Sequence, residues 1–427
     1  HVRSRRQRQM CIRDRDIVGW DNYPWPDDPP YFVAMKHDIM RGLKGGRSFV
    51  LTEQSPNQQN WQPYNLLKRP GEVRRLSYQA MAHGADTCLF FQMRQSIAGQ
   101  EKFHGAIISH SGREDTRVFR ECSLLGKELQ SIGDTFLEGR TPARAGLLFD
   151  WNNWWALELA SGPSKDMDYL KTVSLYYETL YRQNIPVDIL SYGADLSSYD
   201  LILAPMLYME KENAAERLQE FVKKGGTLIT TVMSGLADEN DRCVFGAYPG
   251  KLKEMLGIWV EETDALRPYE KNRMRLTDNL QLSEKEYDCG FLCDIIHPEG
   301  GAEVLASYKE DFYADTPCVT RNFFGKGRAY YIGTQPEQRF LEELVSHICN
   351  ECGLQPLYPS SEGVELCLRV SDKAKTVFAI NHNKTEAWVD FGPQKLTGLT
   401  DKKPLTGRIS IAPGDVLTAK IETENNA

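Results

Sequence analysis

The feature that most constrains the fold is an alternation of short apolar runs with amphipathic segments over residues 16–135. The apolar runs have the length of strands and occur three times, as DIVGW (16–20), SFVLTE (48–53) and ADTCLFFQ (85–92). Helices are predicted between and after them, at residues 34–43, 69–83 and 115–136. Strands and helices in this order form a parallel sheet. Because polar or aromatic residues follow each strand, a functional site is expected at the carboxyl ends of these strands.

Two further domains are predicted downstream. After a linker at 138–143, strands and helices alternate again over residues 144–355, which predicts a separate, doubly wound α/β domain. A turn-rich linker at 355–363 leads to five short β-type runs, which predict a small antiparallel β domain over residues 363–427. The expected fold class is therefore α/β, with an antiparallel β domain at the C-terminus.

The first fifteen residues differ in composition from the rest of the chain. HVRSRRQRQMCIRDR carries six Arg and one Asp, and it has no apolar core of the kind a secretory signal needs. We interpret residues 1–15 as a non-native or disordered basic segment. The alternative is a basic nucleic-acid-binding arm or a transit peptide.

Charge and cysteine content narrow the function classes. A net charge of -8 argues against a nucleic-acid-binding protein, and no apolar run is long enough to span a bilayer. The ten cysteines form no regular disulfide framework, which favours the cytoplasm. The pairs Cys289/Cys293 and Cys349/Cys352 have spacings seen in zinc sites. However, the second pair ends an amphipathic helix, so buried thiols are expected, with no metal and no cofactor.

The strongest local signal is LTEQSPNQQNW (51–61). An apolar strand ends at the carboxylate of Glu53, and Trp61 follows in a polar loop. Burying a carboxylate without a partner is costly, so such a residue is rarely placed there for folding. The alternative is a solvated loop carboxylate, and spacing alone does not choose between the two.

A second signal follows the third strand, in FFQMRQSIAGQEKFH (90–104). Arg94 comes just after the strand, and Glu101 and His104 are three residues apart. One turn would place both on the same side, where a carboxylate and an imidazole can hydrogen-bond to neighbouring hydroxyls. The alternative is an ordinary surface Glu and a His at the edge of the core.

Together the two segments resemble glycoside hydrolase family 42, the β-galactosidases. T-E-Q (52–54) with N-W (60–61) is similar to the seventh strand of that family's (β/α)8 barrel, which implies that Glu53 is the nucleophile and Trp61 a sugar-stacking residue. F-Q-M-R-Q-S and E-K-F-H resemble the eighth strand and its loop. This resemblance implies that Glu101 and His104 bind galactose hydroxyls, with Arg94 beside them. D-N-Y-P (21–24) looks like the end of strand six, which brings Tyr23 to the same pocket.

The resemblance also implies an architecture. Family 42 enzymes have a barrel, then an α/β domain used for trimer formation, then a small β domain, and the order here is the same. Residues 16–138 correspond to strands six to eight, so we expect an N-terminally truncated fragment that lacks strands one to five. A homotrimer is expected for the intact parent, with a β-galactoside oligosaccharide as substrate and neither nucleic acid nor membrane as partner.

The activity implied is hydrolysis of terminal non-reducing β-D-galactose residues, with retention through a covalent glycosyl-enzyme. Such enzymes need a second carboxylate about 5–5.5 Å from the first. In the family this acid/base Glu follows an Asn at the end of strand four, and residues 16–135 contain no Asn-Glu pair. The chain alone is therefore expected to be inactive. The alternatives are an α-L-arabinopyranosidase and a non-catalytic sugar-binding or assembly subunit.

The α/β domain also resembles class I glutamine amidotransferases. Those enzymes need a Cys nucleophile on a sharp turn between a strand and a helix. The corresponding segment here, TLITTVMSGLADEN, offers Ser234-Gly235 and no Cys. We therefore interpret residues 144–355 as an oligomerisation module.

Overall fold

The computed structural model describes residues 16–246 and 248–422, so the basic segment 1–15 lies outside the described residues. The structure divides into two units. One unit contains the residues up to 142 together with those from 356 onward, and the other contains residues 143–355. Within the described part of the chain, no helix is long and apolar enough to cross a membrane.

The first segment is a three-stranded parallel sheet with a helix after each strand, as the alternation predicts. The strands pair in the order β1-β2-β3. Their bounds are β1 Gly19–Asn22, β2 Phe49–Gln54 and β3 Ala85–Cys88. The helices are α1 Pro30–Gly42, α2 Glu72–Ala82 and α3 Arg117–Ile132. Phe49 and Leu51 of β2 are buried, which explains why this strand is an apolar run in the sequence.

The helix boundaries differ from the prediction by a few residues, for local reasons. Helix α1 begins early because Pro30 suits the first turn of a helix. Helix α2 begins late because Gly71 has a left-handed conformation, with a φ of 82°. Helix α3 is capped by the Thr116 side chain, which accepts from the Phe119 N–H, and it ends at Gly133 with a φ of 64°.

The unit of residues 143–355 is built on one large sheet. Its parallel strands are β4 Ala145–Leu148, β5 Val187–Leu190, β6 Leu201–Ala204, β8 Thr227–Thr231 and β15 Gly327–Ile332. They lie side by side in the order β5-β4-β6-β8-β15, the doubly wound arrangement that the sequence predicts. The helices are α4 Trp151–Leu159, α5 Tyr169–Arg182, α6 Ala214–Lys223, α7 Lys253–Leu256 and α8 Gln338–Glu351.

The same sheet continues through antiparallel strands that the sequence did not reveal. They are β10 Ile258–Ala265, β11 Asn272–Leu276, β12 Glu286–Pro298, β13 Glu303–Tyr308, β14 Pro317–Phe324 and β16 Thr334–Pro336. In β11, buried residues alternate with exposed ones, and the exposed positions include Arg273 and Arg275. Such one-sided strands are typical of antiparallel sheets and lack the continuous apolar run that marks the parallel strands. Two short strands, β7 Met209–Glu210 and β9 Ala237–Asp238, pair separately.

The C-terminal segment is antiparallel, as predicted, and has seven strands instead of five. They are β17 Val364–Val370, β18 Lys375–Asn381, β19 Ala387–Asp390, β20 Leu396–Gly398, β21 Pro404–Leu405, β22 Arg408–Ile411 and β23 Val416–Ile421. Five of them form a sheet in the order β17-β18-β23-β20-β21, and β19 pairs with β22. The two unpredicted strands, β20 and β21, have three and two residues, too short for an alternating pattern to be visible.

The side chain of Arg369, on β17, joins this β domain to the first segment. It is completely buried, and its guanidinium donates to the backbone oxygens of Met81, Ala85 and Gly139 at 2.9–3.1 Å. It also forms an ion pair with Asp86 at 2.7 Å. A planar group with several donors suits this position, because the acceptors come from separate parts of the chain.

Replacing Arg369 by Lys is therefore expected to lower the free energy of unfolding by about 2–4 kcal/mol, because several buried acceptors lose their donors. Urea titration measures the change. The Arg113→Lys variant is the control, since the Arg113 side chain is 67% exposed. A loss for Arg369→Lys no larger than for this control would contradict the anchoring role.

A buried ionic cluster makes a second connection within the same unit. His83 contacts Asp38 through Nδ1 and Glu365 through Nε2, each at 2.7 Å. The other oxygen of Glu365 is 2.7 Å from His382 Nε2 and accepts a hydrogen bond from Gln79 at 2.9 Å. We call these five residues the His83 cluster. It links α1 and α2 to the C-terminal β domain.

Candidate active site

The carboxylate of Glu53 lies near the end of β2 and is hydrogen-bonded to Tyr23. Asp21 of β1 lies opposite Glu53 in the parallel register. Two residues further along the chain, the Tyr23 hydroxyl donates to Glu53 Oε2 at 2.7 Å. Burial and the bond to Glu53 both raise the pKa of Tyr23, so its hydroxyl keeps its proton. Glu53 is half-buried. One of its oxygens is therefore held by a neutral donor.

Aromatic rings surround this pair. The ring of Tyr23 meets the ring of Trp61 edge-on, with 4.9 Å between centroids. Trp61 stacks on His104 with 5.2 Å between centroids, and Phe91 meets the imidazole edge-on, also at 5.2 Å. Trp61 is 50% exposed, whereas His104 is fully buried. The exposed part of the indole can therefore serve as a stacking surface for the apolar face of a sugar ring.

Hydrogen bonds tie the loop of Glu101 and His104 to the loop of Trp61. The Asn60 side chain donates to the Gln100 carbonyl at 2.6 Å, and its oxygen is 3.3 Å from His104 Nδ1. The other imidazole nitrogen, Nε2, is 3.2 Å from the carbonyl of Phe91. The Glu101 carboxylate is 3.8 Å from His104 Nδ1. Burial lowers the pKa of His104, although the Phe91 carbonyl and Glu101 oppose this shift.

Five of the six residues singled out in the sequence are joined by these contacts. They are Tyr23, Glu53, Trp61, Glu101 and His104. Arg94 is the exception. Its side chain is exposed, and among the described residues it takes part in none of the hydrogen bonds or ring contacts that connect the other five.

Two residues that join this network were not predicted to do so. In the sequence, Asn60 stands out only as part of the N-W pair, and its bridging role depends on a contact with Gln100, 40 residues further along the chain. Phe91 was hidden in an apolar run, where nothing distinguishes it from Phe90. Its place follows from strand pairing, because the Phe91 N–H donates to the Gln54 carbonyl at 3.1 Å. This bond sets Phe91 beside the end of β2.

Groups suited to metal binding lie elsewhere. Among the described residues, His83, Glu365 and Cys367 are the one set of three whose ligand-type atoms lie within 4.8 Å of one another. These atoms already contact each other, because His83 Nε2 is 2.7 Å from Glu365 Oε1 and 3.5 Å from Cys367 Sγ, which lies beside the His83 cluster. Neither of the cysteine pairs considered in the sequence belongs to this set. Cys289, Cys293 and Cys349 are buried thiols.

The turn after β8, where the sequence suggested a likeness to amidotransferases, offers no free nucleophilic side chain. The residue at the sharp bend is Met233, with a φ of 69°. Ser234 is fully buried, where its hydroxyl bonds to Thr230 and accepts from the Leu207 N–H. Ser234 is thus a structural residue in this turn.

Two family models match the sequence. A model described as "Beta-galactosidase" matches residues 6–132, and a model described as "Beta-galactosidase trimerisation domain" matches residues 143–355. The second range coincides with the unit of residues 143–355.

Several relatives are similar over nearly the whole chain. Beta-galactosidase BgaA of Planococcus sp. is 46% identical over 410 residues, which cover 96% of this chain and 60% of the relative. Beta-galactosidase LacZ of Lactobacillus acidophilus is 43% identical, with 92% of this chain and 57% of the relative covered. The chain thus spans about 60% of the length of these relatives.

A solved structure agrees with this. The crystal structure of beta-galactosidase from Bacillus circulans sp. alkalophilus is 47% identical and superposes with a TM-score of 0.95, over 97% of this chain and 61% of the other. The solved structure of Gan42B, a GH42 beta-galactosidase, is 33% identical and superposes with a TM-score of 0.91, over 97% of this chain and 60% of the other. In sequence and in fold, the chain belongs to glycoside hydrolase family 42, the β-galactosidases.

Proposed function

We propose that this chain is the nucleophile-bearing part of a retaining β-galactosidase, which removes terminal non-reducing β-D-galactose residues. The observation that carries the proposal is the Glu53 carboxylate, held by Tyr23 at the carboxyl end of a parallel strand beside the half-exposed Trp61. A carboxylate in that position suits attack on an anomeric carbon, and an aromatic face suits a pyranose ring.

In the proposed reaction, Glu53 attacks the anomeric carbon and forms a covalent galactosyl ester, which water then hydrolyses. The Tyr23 hydroxyl bonds to Oε2, so Oε1 is the oxygen left for the attack. The bond also fixes the orientation of the carboxylate before substrate arrives, which lowers the entropic part of the barrier. Trp61 stacks on the sugar, and Glu101 and His104 bind its hydroxyls. Arg94, being exposed, is proposed to act at the outer edge of the pocket.

The proposal extends to assembly. Residues 143–355 match a trimerisation-domain model, so a homotrimer is proposed for the whole enzyme. The cytoplasm is proposed as its location, since the nine cysteines among the described residues are free thiols. Light scattering of the purified chain measures the mass of the assembly.

Covalent trapping tests the nucleophile. A 2-deoxy-2-fluoro-galactoside with a dinitrophenyl leaving group needs no acid to depart, and its fluorine slows the breakdown of the ester. We expect one fluorogalactosyl group per chain, located on the peptide that contains Glu53. The Glu53→Gln variant should take up none, whereas a Glu114→Gln control at an exposed site should label as the parent does. No labelling, or labelling of another carboxylate, would refute the assignment.

A further inference from the structure

A second pocket lies beside the loop that carries Trp61, with residues from α2 and the C-terminal β domain in its wall. Its cavity volume is about 200 Å³, enough for about six water molecules. The residues that matter here are Trp25, Gln62, Lys68, Glu72 and Arg75. None of the residues assigned to the candidate active site lines this pocket.

Lys68 is the unusual member of the wall. The residue is 7% exposed, and its ammonium makes no hydrogen bond or ion pair with any residue in the part of the chain that the structure describes. Burial lowers the pKa of Lys68, which fits a cation that lacks an anion. A lysine whose residue surface is this largely buried ordinarily has an anionic partner.

Its acidic neighbours are already engaged. Glu72 accepts a hydrogen bond from the Arg69 N–H at 2.7 Å, and it forms no ion pair with Lys68. Asp28 pairs with Lys36 at 2.9 Å. Glu72 attracts the Lys68 ammonium electrostatically but does not pair with it, so direct contact with the ammonium is left for something that enters the pocket.

Two other polar atoms of the wall are unpaired and buried. They are Nε of Arg75 and Oε1 of Gln62, neither of which has a hydrogen-bond partner among the described residues. The Gln62 amide nitrogen is fixed by its bond to Gln59 Oε1 at 2.7 Å, so the free oxygen is oriented as an acceptor. Two donors with positive charge suit an oxyanion, and a lone acceptor suits a hydroxyl.

The rest of the pocket suits a small ring. The Trp25 side chain is 53% exposed and offers a flat apolar face. The backbone of Lys68 is held on both sides, because its N–H donates to Asn57 Oδ1 at 3.2 Å and its carbonyl accepts from Arg117 at 3.0 Å. The pocket is therefore largely preformed, as ligand sites usually are.

We propose that this pocket binds a monosaccharide that carries an oxyanion, such as a sugar phosphate or a uronic acid. Lys68 and Arg75 contact the phosphate or carboxylate, Gln62 accepts from a ring hydroxyl, and Trp25 packs against the ring. The site does not depend on Glu53, so it stands whether or not the chain acts on galactosides.

The test is calorimetric titration of the whole chain with galactose 6-phosphate, galacturonate, galactose and inorganic phosphate at constant ionic strength. The two sugar acids are expected to bind saturably. Because each variant removes a charged donor, Lys68→Gln and Arg75→Gln should weaken both at least about tenfold. Galactose and inorganic phosphate each satisfy half of the site and should bind more weakly than either sugar acid.

The control is Lys127→Gln, which removes an exposed lysine from the same unit and should bind like the parent. Lys68→Gln also removes an unpaired buried charge, so its melting temperature without ligand should equal or exceed that of the parent. Three results would overturn the proposal: no saturable binding of either sugar acid, equal binding by the parent and both variants, or inorganic phosphate binding as tightly as the sugar acids.

Discussion

Assayed alone on p-nitrophenyl β-galactoside, the chain is expected to turn over about 10²–10⁴-fold more slowly than a relative such as BgaA of Planococcus. The reason is chemical. Glu53 is the proposed nucleophile, but residues 16–135 contain no Asn-Glu pair of the kind expected to carry the acid/base Glu. We therefore expect protonation of the leaving oxygen and activation of water to lack their catalyst, since one carboxylate of the pair cannot do the work of both.

A change of leaving group and the addition of a small nucleophile distinguish a missing acid/base residue from simple misfolding. A dinitrophenyl galactoside needs no general acid, and azide needs no general base. The chain should therefore regain rate on the dinitrophenyl substrate in the presence of azide and form β-galactosyl azide. Glu53→Gln should abolish this rescue, whereas Glu114→Gln should keep it. Turnover of the nitrophenyl substrate close to that of BgaA would contradict the expectation, as would the absence of rescue.

Replacing His83 by Ala is expected to cost about 3–5 kcal/mol of unfolding free energy, the range for breaking a buried ion pair from one side. The change leaves the carboxylates of Asp38 and Glu365 buried without their shared imidazole. Urea unfolding measures the loss. The matched control is His110→Ala, at an exposed position in the same unit, which should cost less than about 1 kcal/mol. Equal losses in the two variants would refute the role of the cluster.

The His83 cluster also predicts a pH dependence. Burial opposes the charge on His83, but Asp38 and Cys367 outweigh it and raise the pKa of His83 well above its usual value. Burial likewise opposes the charge on Glu365, but hydrogen bonds from His382 and His83 hold the pKa of Glu365 well below its usual value. The contribution of Glu365 to the free energy of unfolding is fully present above about pH 4.3. It is lost as the pH falls from there toward the pKa of Glu365 in the folded state.

The contribution of His83 to the free energy of unfolding changes with pH in the opposite direction. It is fully present below about pH 6.5 and is lost as pH rises toward the raised pKa of the folded state. The parent should therefore gain most from the cluster between about pH 4.5 and 6.5, and the difference in unfolding free energy between parent and His83→Ala should be largest there. A difference that falls as pH drops below about 6.5 would show that the imidazole is uncharged in the folded protein, and a difference that does not change with pH would show that its pKa is unshifted. Either result would contradict the charged cluster.

The alternation of apolar runs and amphipathic segments predicts the parallel strands and their helices, because strands covered on both faces are continuous in hydrophobicity. This pattern does not predict the antiparallel strands, since β11 for example alternates buried residues with arginines that face solvent. The candidate site could be approached from motifs because each segment carries its own polar residues at a strand end. The roles of Tyr23, Glu53, Trp61, Glu101, His104 and Arg94 stay predictions.

Other features depend on contacts that no local pattern encodes. His83 and Glu365 are 282 residues apart, and their pairing requires the β domain to fold back on α1 and α2. Lys68 belongs to a polar loop in which a lysine would be expected to face solvent, yet it is nearly buried. Both cases place a charged group in the interior, where sequence patterns based on hydrophobicity place apolar residues.

The His104 ring has more hydrogen-bond acceptors around it than a neutral imidazole can serve. Both ring nitrogens face acceptors, the Phe91 carbonyl and the Asn60 side-chain oxygen, and a neutral imidazole has only one proton to give. When the proton is on Nε2 and is donated to the Phe91 carbonyl, the 3.3 Å contact between Nδ1 and the Asn60 oxygen has no proton. The protein can therefore fill both contacts at once only by charging a buried ring, which burial opposes by lowering the pKa of His104.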